Sequence, residues 1–353
     1  MTVPSRVLGW DVLRGLCALA VASYHLLVWQ GVTALHTFGS HGVYLFFVLS
    51  GASLAYTYAD RIEHGDFSHL KFLWVRYMRL APLYLLLMLV VLPWKLLKEG
   101  LSVALLTKTA LNASFLFGFF DPAVQAMLVG GWSIGIEAVF YLLFPLMVRA
   151  GLSGSSGRVL LALLLIVQIT WVQLTAGGPS GYSANAVLYH QAPAFAAYFM
   201  GGCLLGLAQR RDAFRAGPAT LSITGIAAGF GLMLLLNPQE QGQELVGVRG
   251  LTLCGLCFLM VWLAGRLHLK DSAARFASSL GDATYGVYLI HPILFFGFVY
   301  VVLPVLGWHS SDRWSIPLRL LLALVVLATV FALALLSERF FERPLRDWSK
   351  SRR

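Results

Sequence analysis

Long apolar runs separated by short polar segments dominate the chain. A helix needs about 20 apolar residues to cross a bilayer, and runs close to this length recur along the whole sequence. The predicted spans are residues 7–30, 42–59, 72–93, 132–149, 158–175, 190–208, 218–236, 248–265, 282–303 and 316–338. The pattern therefore predicts an all-α integral membrane protein, a bundle of about ten transmembrane helices.

One further apolar stretch, residues 101–120, is interrupted by Lys108, Thr109 and Asn112. Polar groups at bilayer depth are costly unless protein or water satisfies them. We therefore interpret this stretch as an interfacial or re-entrant segment. A crossing here would change the topology.

The distribution of basic residues predicts the topology. With an even number of spans and both termini in the cytoplasm, most of the 26 Lys and Arg residues fall on the cytoplasmic side. This is the asymmetry that membrane proteins show. We predict both termini cytoplasmic, one transmembrane domain over residues 1–338 and a basic cytoplasmic tail over 339–353.

Composition agrees with lipid as the main solvent. Only 12% of the residues are charged and 58% are hydrophobic, whereas a soluble domain carries about 25% charged residues. The net charge is +10, and the basic residues lie between the apolar runs. In that position they are expected to contact anionic lipid headgroups rather than nucleic acid. Cys254 and Cys257 have no second pair or nearby histidine to complete a metal site, so we predict no metal site.

The first span contains Asp11, Arg14 and His25. Asp11 and Arg14 are three residues apart and can pair on one helix face. Arg14 and His25 are about three turns apart, on nearly the same face and separated by roughly 16 Å along the axis. The arginine can hold an anion, and the histidine can take a proton from a hydroxyl. Alternatively, Arg14 is a topology signal and His25 an interhelical hydrogen-bond partner.

Arginines also mark the start of the third span. Arg76 and Arg79 lie on one face at its cytoplasmic end, with Pro82 one turn later. Two arginines in this position bind either the phosphates of a ligand or lipid headgroups.

Two later spans contain further polar residues. Ser133 and Glu137 share a face of the fourth span, and Tyr285, Tyr288 and His291 share a face of the ninth. A carboxylate inside a membrane is neutralised or seeks a cation. These residues are candidates for the polar wall of a cavity, although each alone is compatible with a packing role.

Five motifs occur in order along the chain: R-x10-H, GV-x-LFFVLSG, R-x-x-R-x-x-P-x-Y, WS-x-x-x-E-x-x-FYLLFP and Y-x-x-Y-x-x-H-P. Over essentially its whole length the sequence resembles the acyltransferase-3 family of bacterial membrane O-acyltransferases. It departs from the usual family pattern at Tyr44 and at Ala138, where many members have an acid. Since the chain ends soon after Trp348, it resembles the stand-alone form of the family.

The resemblance implies ten helices in the bacterial inner (plasma) membrane and no bound cofactor. Family members take an acyl group, usually acetyl, from acyl-coenzyme A and pass it to a hydroxyl of a carbohydrate or a lipid-linked glycan. By position, His25 would be the catalytic residue and general base, with Arg14 as its partner in the motif. Arg76 and Arg79 would help to hold the donor.

Two other functions remain open at this point. A proton-coupled transporter of small anions or sugars would also bury His, Glu and Arg, although the sequence shows no two related halves. A binding subunit without catalysis is the other alternative. If the protein is an enzyme, Tyr288, Ser133 and His291 are the candidate oxyanion donors, and the sequence does not rank them.

Overall fold

The computed structural model describes residues 6–211, 218–308, 311 and 314–351, and all regular structure in these segments is helical. The α-helices are α1 (Leu8–Trp29), α2 (His36–Glu63), α3 (His69–Glu99), α4 (Val103–Ser114), α5 (Pro122–Gln125), α6 (Gly131–Leu152), α7 (Ser155–Thr175), α8 (Gly181–Tyr189), α9 (Ala196–Arg210), α10 (Ala219–Leu235), α11 (Gly247–Gly265), α12 (Asp271–Gly297), α13 (Leu303–Val305), α14 (Ile316–Ser337) and α15 (Arg343–Ser351). Two π-helical turns, Phe298–Val302 and Glu338–Glu342, join α12 to α13 and α14 to α15.

Eight helices of the described segments are long and apolar enough to cross a membrane. They are α1, α2, α3, α6, α7, α11, the continuous unit α12–α13 and the continuous unit α14–α15. The predicted multi-pass helical fold is therefore confirmed. The predicted spans 190–208 and 218–236 correspond to α9 and α10, which have 15 and 17 residues. Because both are shorter than the usual crossing length, the count of ten stays a prediction.

The polar residues of the 101–120 segment anchor it to its neighbours. α4 has 12 residues, and its length of about 18 Å is well short of the bilayer core. Asn112 is fully buried. Its side-chain oxygen accepts hydrogen bonds from the Tyr84 hydroxyl at 2.6 Å and the Met127 amide at 3.0 Å, and its amide donates to the Gln125 carbonyl at 2.7 Å. Asn112, one of the polar residues that interrupt the apolar run, thus forms hydrogen bonds with backbone groups of the irregular segment beside α3.

Glycines bring α2 and α9 into backbone contact. A Cβ on Gly202 would overlap the Val48 carbonyl, one on Gly206 the Ala52 carbonyl, and one on Gly51 the Phe199 carbonyl. Small residues are what permits such an approach between membrane helices. Gly51, which lies in the GV-x-LFFVLSG motif of the second span, is thus one of the points where α2 meets α9.

Replacing Gly202 by alanine is expected to destabilise the bundle by about 1–3 kcal/mol, because the two backbones must separate to admit a methyl group. The measurement is thermal unfolding of the detergent-purified protein. Gly255→Ala is the matched control, since nothing lies within 4 Å of a Cβ at that helical position. Equal stability of the two variants would contradict the close contact of α2 with α9.

The two ends of the described chain meet at one end of the bundle. Asp282 of α12 pairs with Arg6 at 2.8 Å and with Arg343 at 3.0 Å. An even number of crossings places both termini on the same side of the membrane, which agrees with the contact seen here. That this side is the cytoplasm stays a prediction. The helix that begins as α14 continues without a break past residue 338, where the predicted transmembrane domain ends, and α15 packs against α3.

Candidate active site

A cavity of about 600 Å³ opens at the end of the bundle where the termini meet. This is within the usual range for small-molecule sites, roughly 300–1,000 Å³. The predicted site residues that line it are Asp11, Arg14, Arg76, Arg79, Ser133, Glu137, Tyr285 and Tyr288. The structure therefore brings together side chains of α1, α3, α6 and α12. His25 and His291 lie outside this lining.

Arg14 is fixed by three partners on two helices. It pairs with Asp11 at 3.1 Å, and its Nη2 donates to the Leu49 carbonyl at 3.1 Å and to the hydroxyl of Ser53. Asp11 is 1% exposed and also pairs with Arg6. The Asp11–Arg14 pair predicted from their spacing is confirmed. A planar guanidinium held in this way presents a fixed positive charge to the cavity.

Arg76 and Arg79 differ from the other cavity arginines. Arg6, Arg14, Arg343 and Arg346 each pair with a carboxylate. Within the described segments no carboxylate pairs with Arg76 or Arg79, and the Nε of Arg76 is buried without a hydrogen-bond partner. Arg76 is partly buried and Arg79 is exposed, and a guanidinium that pairs with no carboxylate keeps its donors available for an anion. These two arginines are therefore the cavity side chains that are ready to bind an anion.

Glu137 contributes a carboxylate to the opposite wall. The Ser50 hydroxyl donates a hydrogen bond to it. In this setting Glu137 can accept a hydrogen bond from an N–H or O–H group of a ligand.

The tyrosines of α12 have separate roles. Tyr285 ties α12 to α3, since its hydroxyl donates to the Leu80 carbonyl at 2.7 Å. The Tyr288 hydroxyl lies 2.9 Å from both the Gly130 carbonyl and the Ser133 hydroxyl. The Tyr288 ring is 6.5 Å from the ring of His291, measured between centroids. Tyr288 and Ser133 therefore form a polar layer between the cavity and the next turn of α12.

A pair of histidines lies beyond this layer. His25 Nδ1 is 3.1 Å from His291 Nε2, and the His25 ring stacks on Trp29 with centroids 4.9 Å apart. His291 is 1% exposed, whereas His25 is partly exposed. The sequence singled out both histidines but did not predict their contact. Their spans, the first and the ninth, are predicted to run in the same direction, but His25 lies in the second half of 7–30 and His291 in the first half of 282–303, so span position alone did not indicate the contact.

Sequence reasoning also missed residues that reach the cavity from the chain's end. Glu338, Arg343, Arg346 and Asp347 line it, and Arg346 pairs with Glu338. The predicted basic tail thus contributes part of the cavity wall, because α14 continues through a π-helical turn into α15. Only the packing of α15 against α3 shows this.

Fold and site together define a polytopic helical membrane protein that presents arginines to a cavity and holds a histidine pair deeper in the same bundle. The family comparison is more specific. The acyltransferase-3 model, described as an acyltransferase domain, matches residues 7–337. The chain belongs to this family, as the order of its motifs indicated.

Curated relatives cover nearly all of this chain. The O-acetyltransferase OatA of Staphylococcus aureus is 26% identical over 370 residues, which cover 98% of this chain and 58% of the relative. The peptidoglycan O-acetyltransferase OatA of Listeria monocytogenes is 26% identical, with 95% and 55% covered. The chain thus spans less than two thirds of the length of these relatives. No solved structure matches it.

Proposed function

We propose that this protein is an O-acetyltransferase of the bacterial inner membrane, which moves an acetyl group from acetyl-coenzyme A to a hydroxyl of a cell-envelope carbohydrate. The observation that carries the proposal is the position of Arg76 and Arg79. Both line the cavity, and within the described segments neither pairs with a carboxylate. A partly exposed histidine, His25, lies deeper in the same bundle. Family membership supplies the reaction class.

The donor fits the charge and size of the cavity. Coenzyme A carries phosphates, and arginine binds phosphate through two parallel hydrogen bonds. Arg76 and Arg79 take these phosphates in the proposal, because the other cavity arginines already pair with carboxylates. Arg14, held by Asp11 and Ser53, provides a further positive charge for the donor nearer the membrane interior. The pantetheine arm then spans the roughly 16 Å between Arg14 and His25.

The chemical step takes place at the histidine pair. His25 accepts the proton of the acceptor hydroxyl while the hydroxyl oxygen attacks the thioester carbonyl. The carbon–sulfur bond breaks, the acetyl ester forms, and the coenzyme A thiolate takes the proton back from His25. Tyr288 and Ser133 are the proposed oxyanion donors. Both hydroxyls now bond the Gly130 carbonyl and can rotate toward a developing oxyanion, whereas His291 Nδ1 is held against a backbone carbonyl of α12.

The acceptor reaches His25 from the side opposite the donor. His25 is partly exposed although it lies outside the cavity lining. The relatives named as peptidoglycan O-acetyltransferases make a peptidoglycan-type glycan or its lipid-linked precursor the acceptor class that we propose.

Purified protein in nanodiscs is expected to convert acetyl-coenzyme A and a lipid-linked disaccharide precursor of peptidoglycan into free coenzyme A and an O-acetylated glycan. Thiol release and mass spectrometry of the glycan follow the two products. Because the reaction needs both substrates, omitting the glycan should leave at most slow thioester hydrolysis.

The same protein in sealed liposomes separates this function from transport. Uptake of labelled donor or acetate without thioester cleavage would contradict the proposal and favour a transporter. Thioester cleavage without any acetylated glycan, across several glycan classes, would contradict the proposed acceptor.

A further inference from the structure

The hydrogen bonds around His291 determine which nitrogen of that ring carries the proton. His291 Nδ1 lies 2.9 Å from the Val287 carbonyl oxygen. A carbonyl oxygen only accepts, so Nδ1 must be the protonated nitrogen. Pro292, which has no N–H, leaves the Tyr288 carbonyl four residues earlier without its usual helical donor. A neutral imidazole has a single N–H, and His291 Nε2 is therefore an acceptor.

The same logic then applies to His25. Its Nδ1 faces His291 Nε2 at 3.1 Å. Since the His291 nitrogen accepts, His25 Nδ1 must donate, and the lone pair of neutral His25 lies on Nε2. Among the described residues Nε2 of His25 has no hydrogen-bond partner, and its ring is the partly exposed one of the pair. The free basic nitrogen is thus on the accessible histidine.

Aromatic packing fixes the planes of both rings. The two imidazoles lie 19° from parallel, and the indole of Trp29 lies 15° from His25 and 17° from His291. Phe295 and Phe296 pack on the same indole. A ring held in this stack turns only if the stack opens, which makes the hydrogen-bond order persistent.

We propose that His291 is a positioning residue for His25: it holds His25 in the tautomer whose Nε2 is unprotonated, and its own Nε2 stabilises the imidazolium that forms during transfer. This inference rests on the proposed function of His25 as the base. When the acceptor hydroxyl gives its proton to His25 Nε2, the Nδ1–H of His25 stays bonded to His291. The proton then leaves from Nε2 to the departing thiolate, and both rings return to their starting state.

Two substitutions separate this role from simple packing. His291→Phe keeps an aromatic ring beside Trp29 but removes the acceptor. His291→Gln loses the ring, while its amide can donate to the Val287 carbonyl and its side-chain oxygen can accept from His25 Nδ1. Positioning predicts that kcat falls at least about 100-fold in His291→Phe and less than about tenfold in His291→Gln. The KM for acetyl-coenzyme A should change little in either, since His291 lies outside the cavity lining.

The reverse order, with phenylalanine tolerated and glutamine inactive, would show that His291 only fills space and would overturn the proposal. His268→Phe is the matched control, because His268 is exposed and lies in the loop before α12. Thermal unfolding of each variant identifies any loss of activity that comes from misfolding.

A second measurement does not depend on activity. In the ¹⁵N spectrum of histidine-labelled protein in lipid, the wild type should show a protonated Nδ1 and an unprotonated Nε2 for His25, assigned by comparison with His25→Gln. His291→Phe should lose this preference. An Nε2–H tautomer of His25 in the wild type would overturn the inference even if the enzyme is active. The expected tautomer in a protein that acetylates nothing would instead count against the proposed function alone.

Discussion

His25→Ala is expected to slow acetyl transfer about 10²–10⁴-fold, the usual contribution of a positioned general base. The loss should appear in kcat, because His25 lies outside the lining of the cavity that takes the donor. Donor affinity should stay within about threefold of the wild type, since the arginines that carry it are untouched. Steady-state thiol release with varied acetyl-coenzyme A measures both quantities.

His25→Gln refines the same prediction. Glutamine preserves a hydrogen bond to His291 Nε2 but cannot take a proton at neutral pH. It should therefore be as slow as alanine if proton transfer is the function of His25. Full activity of His25→Gln would contradict a base at this position. It would instead support the alternative that His25 is an interhelical hydrogen-bond partner.

Arg79→Met is the second substitution with a large expected effect. Loss of one charged hydrogen-bonding partner costs about 1.5–3 kcal/mol, which corresponds to a donor KM or Kd raised about 10- to 100-fold. Arg76→Met should act in the same direction. We expect little loss of folding stability, because neither arginine pairs with a carboxylate in the described segments. Calorimetric titration with coenzyme A gives the affinity without turnover.

Arg339→Met is the charge-matched control for this experiment. Arg339 is exposed, lies at the same end of the chain's helical bundle and does not line the cavity. Its guanidinium rests against the Phe340 ring. If Arg339→Met weakened coenzyme A binding as strongly as Arg79→Met, the loss of affinity would come from the general positive potential at this end of the helical bundle. A donor site at Arg76 and Arg79 would then be excluded.

Several features of the fold followed from the sequence because they obey local rules. Apolar runs of membrane length predicted the helical bundle, and the spacing of Asp11 and Arg14 predicted their ion pair. The polar interruptions of 101–120 predicted an interfacial or re-entrant segment; α4 has only 12 residues there, while its place in the membrane stays a prediction. Each of these depends on helix geometry or on the cost of polar groups in lipid, and both can be evaluated along a single stretch of chain.

Helix lengths near α9 and α10 were less predictable. Hydropathy alone gave two full spans, whereas the structure has helices of 15 and 17 residues there. A 3₁₀ turn at Ala192–Ala194 precedes α9, and the glycines of α9 pack on the α2 backbone instead of lipid. For α9, burial against protein relaxes the length that a lipid-facing helix requires. This reason does not apply to α10, which buries only Ser222, Ile226, Gly229 and Met233.

The sequence by itself determined which polar residues are in the membrane, since an ionisable group in an apolar run is conspicuous wherever the helix packs. Only the tertiary structure decided which of these residues meet. It placed Arg76 and Arg79 in a cavity where no carboxylate of the described segments pairs with them, and it brought the end of the chain into the wall of that cavity. It also placed His291 of α12 against His25 of α1. Such contacts depend on how distant helices pack, and no local periodicity encodes that packing.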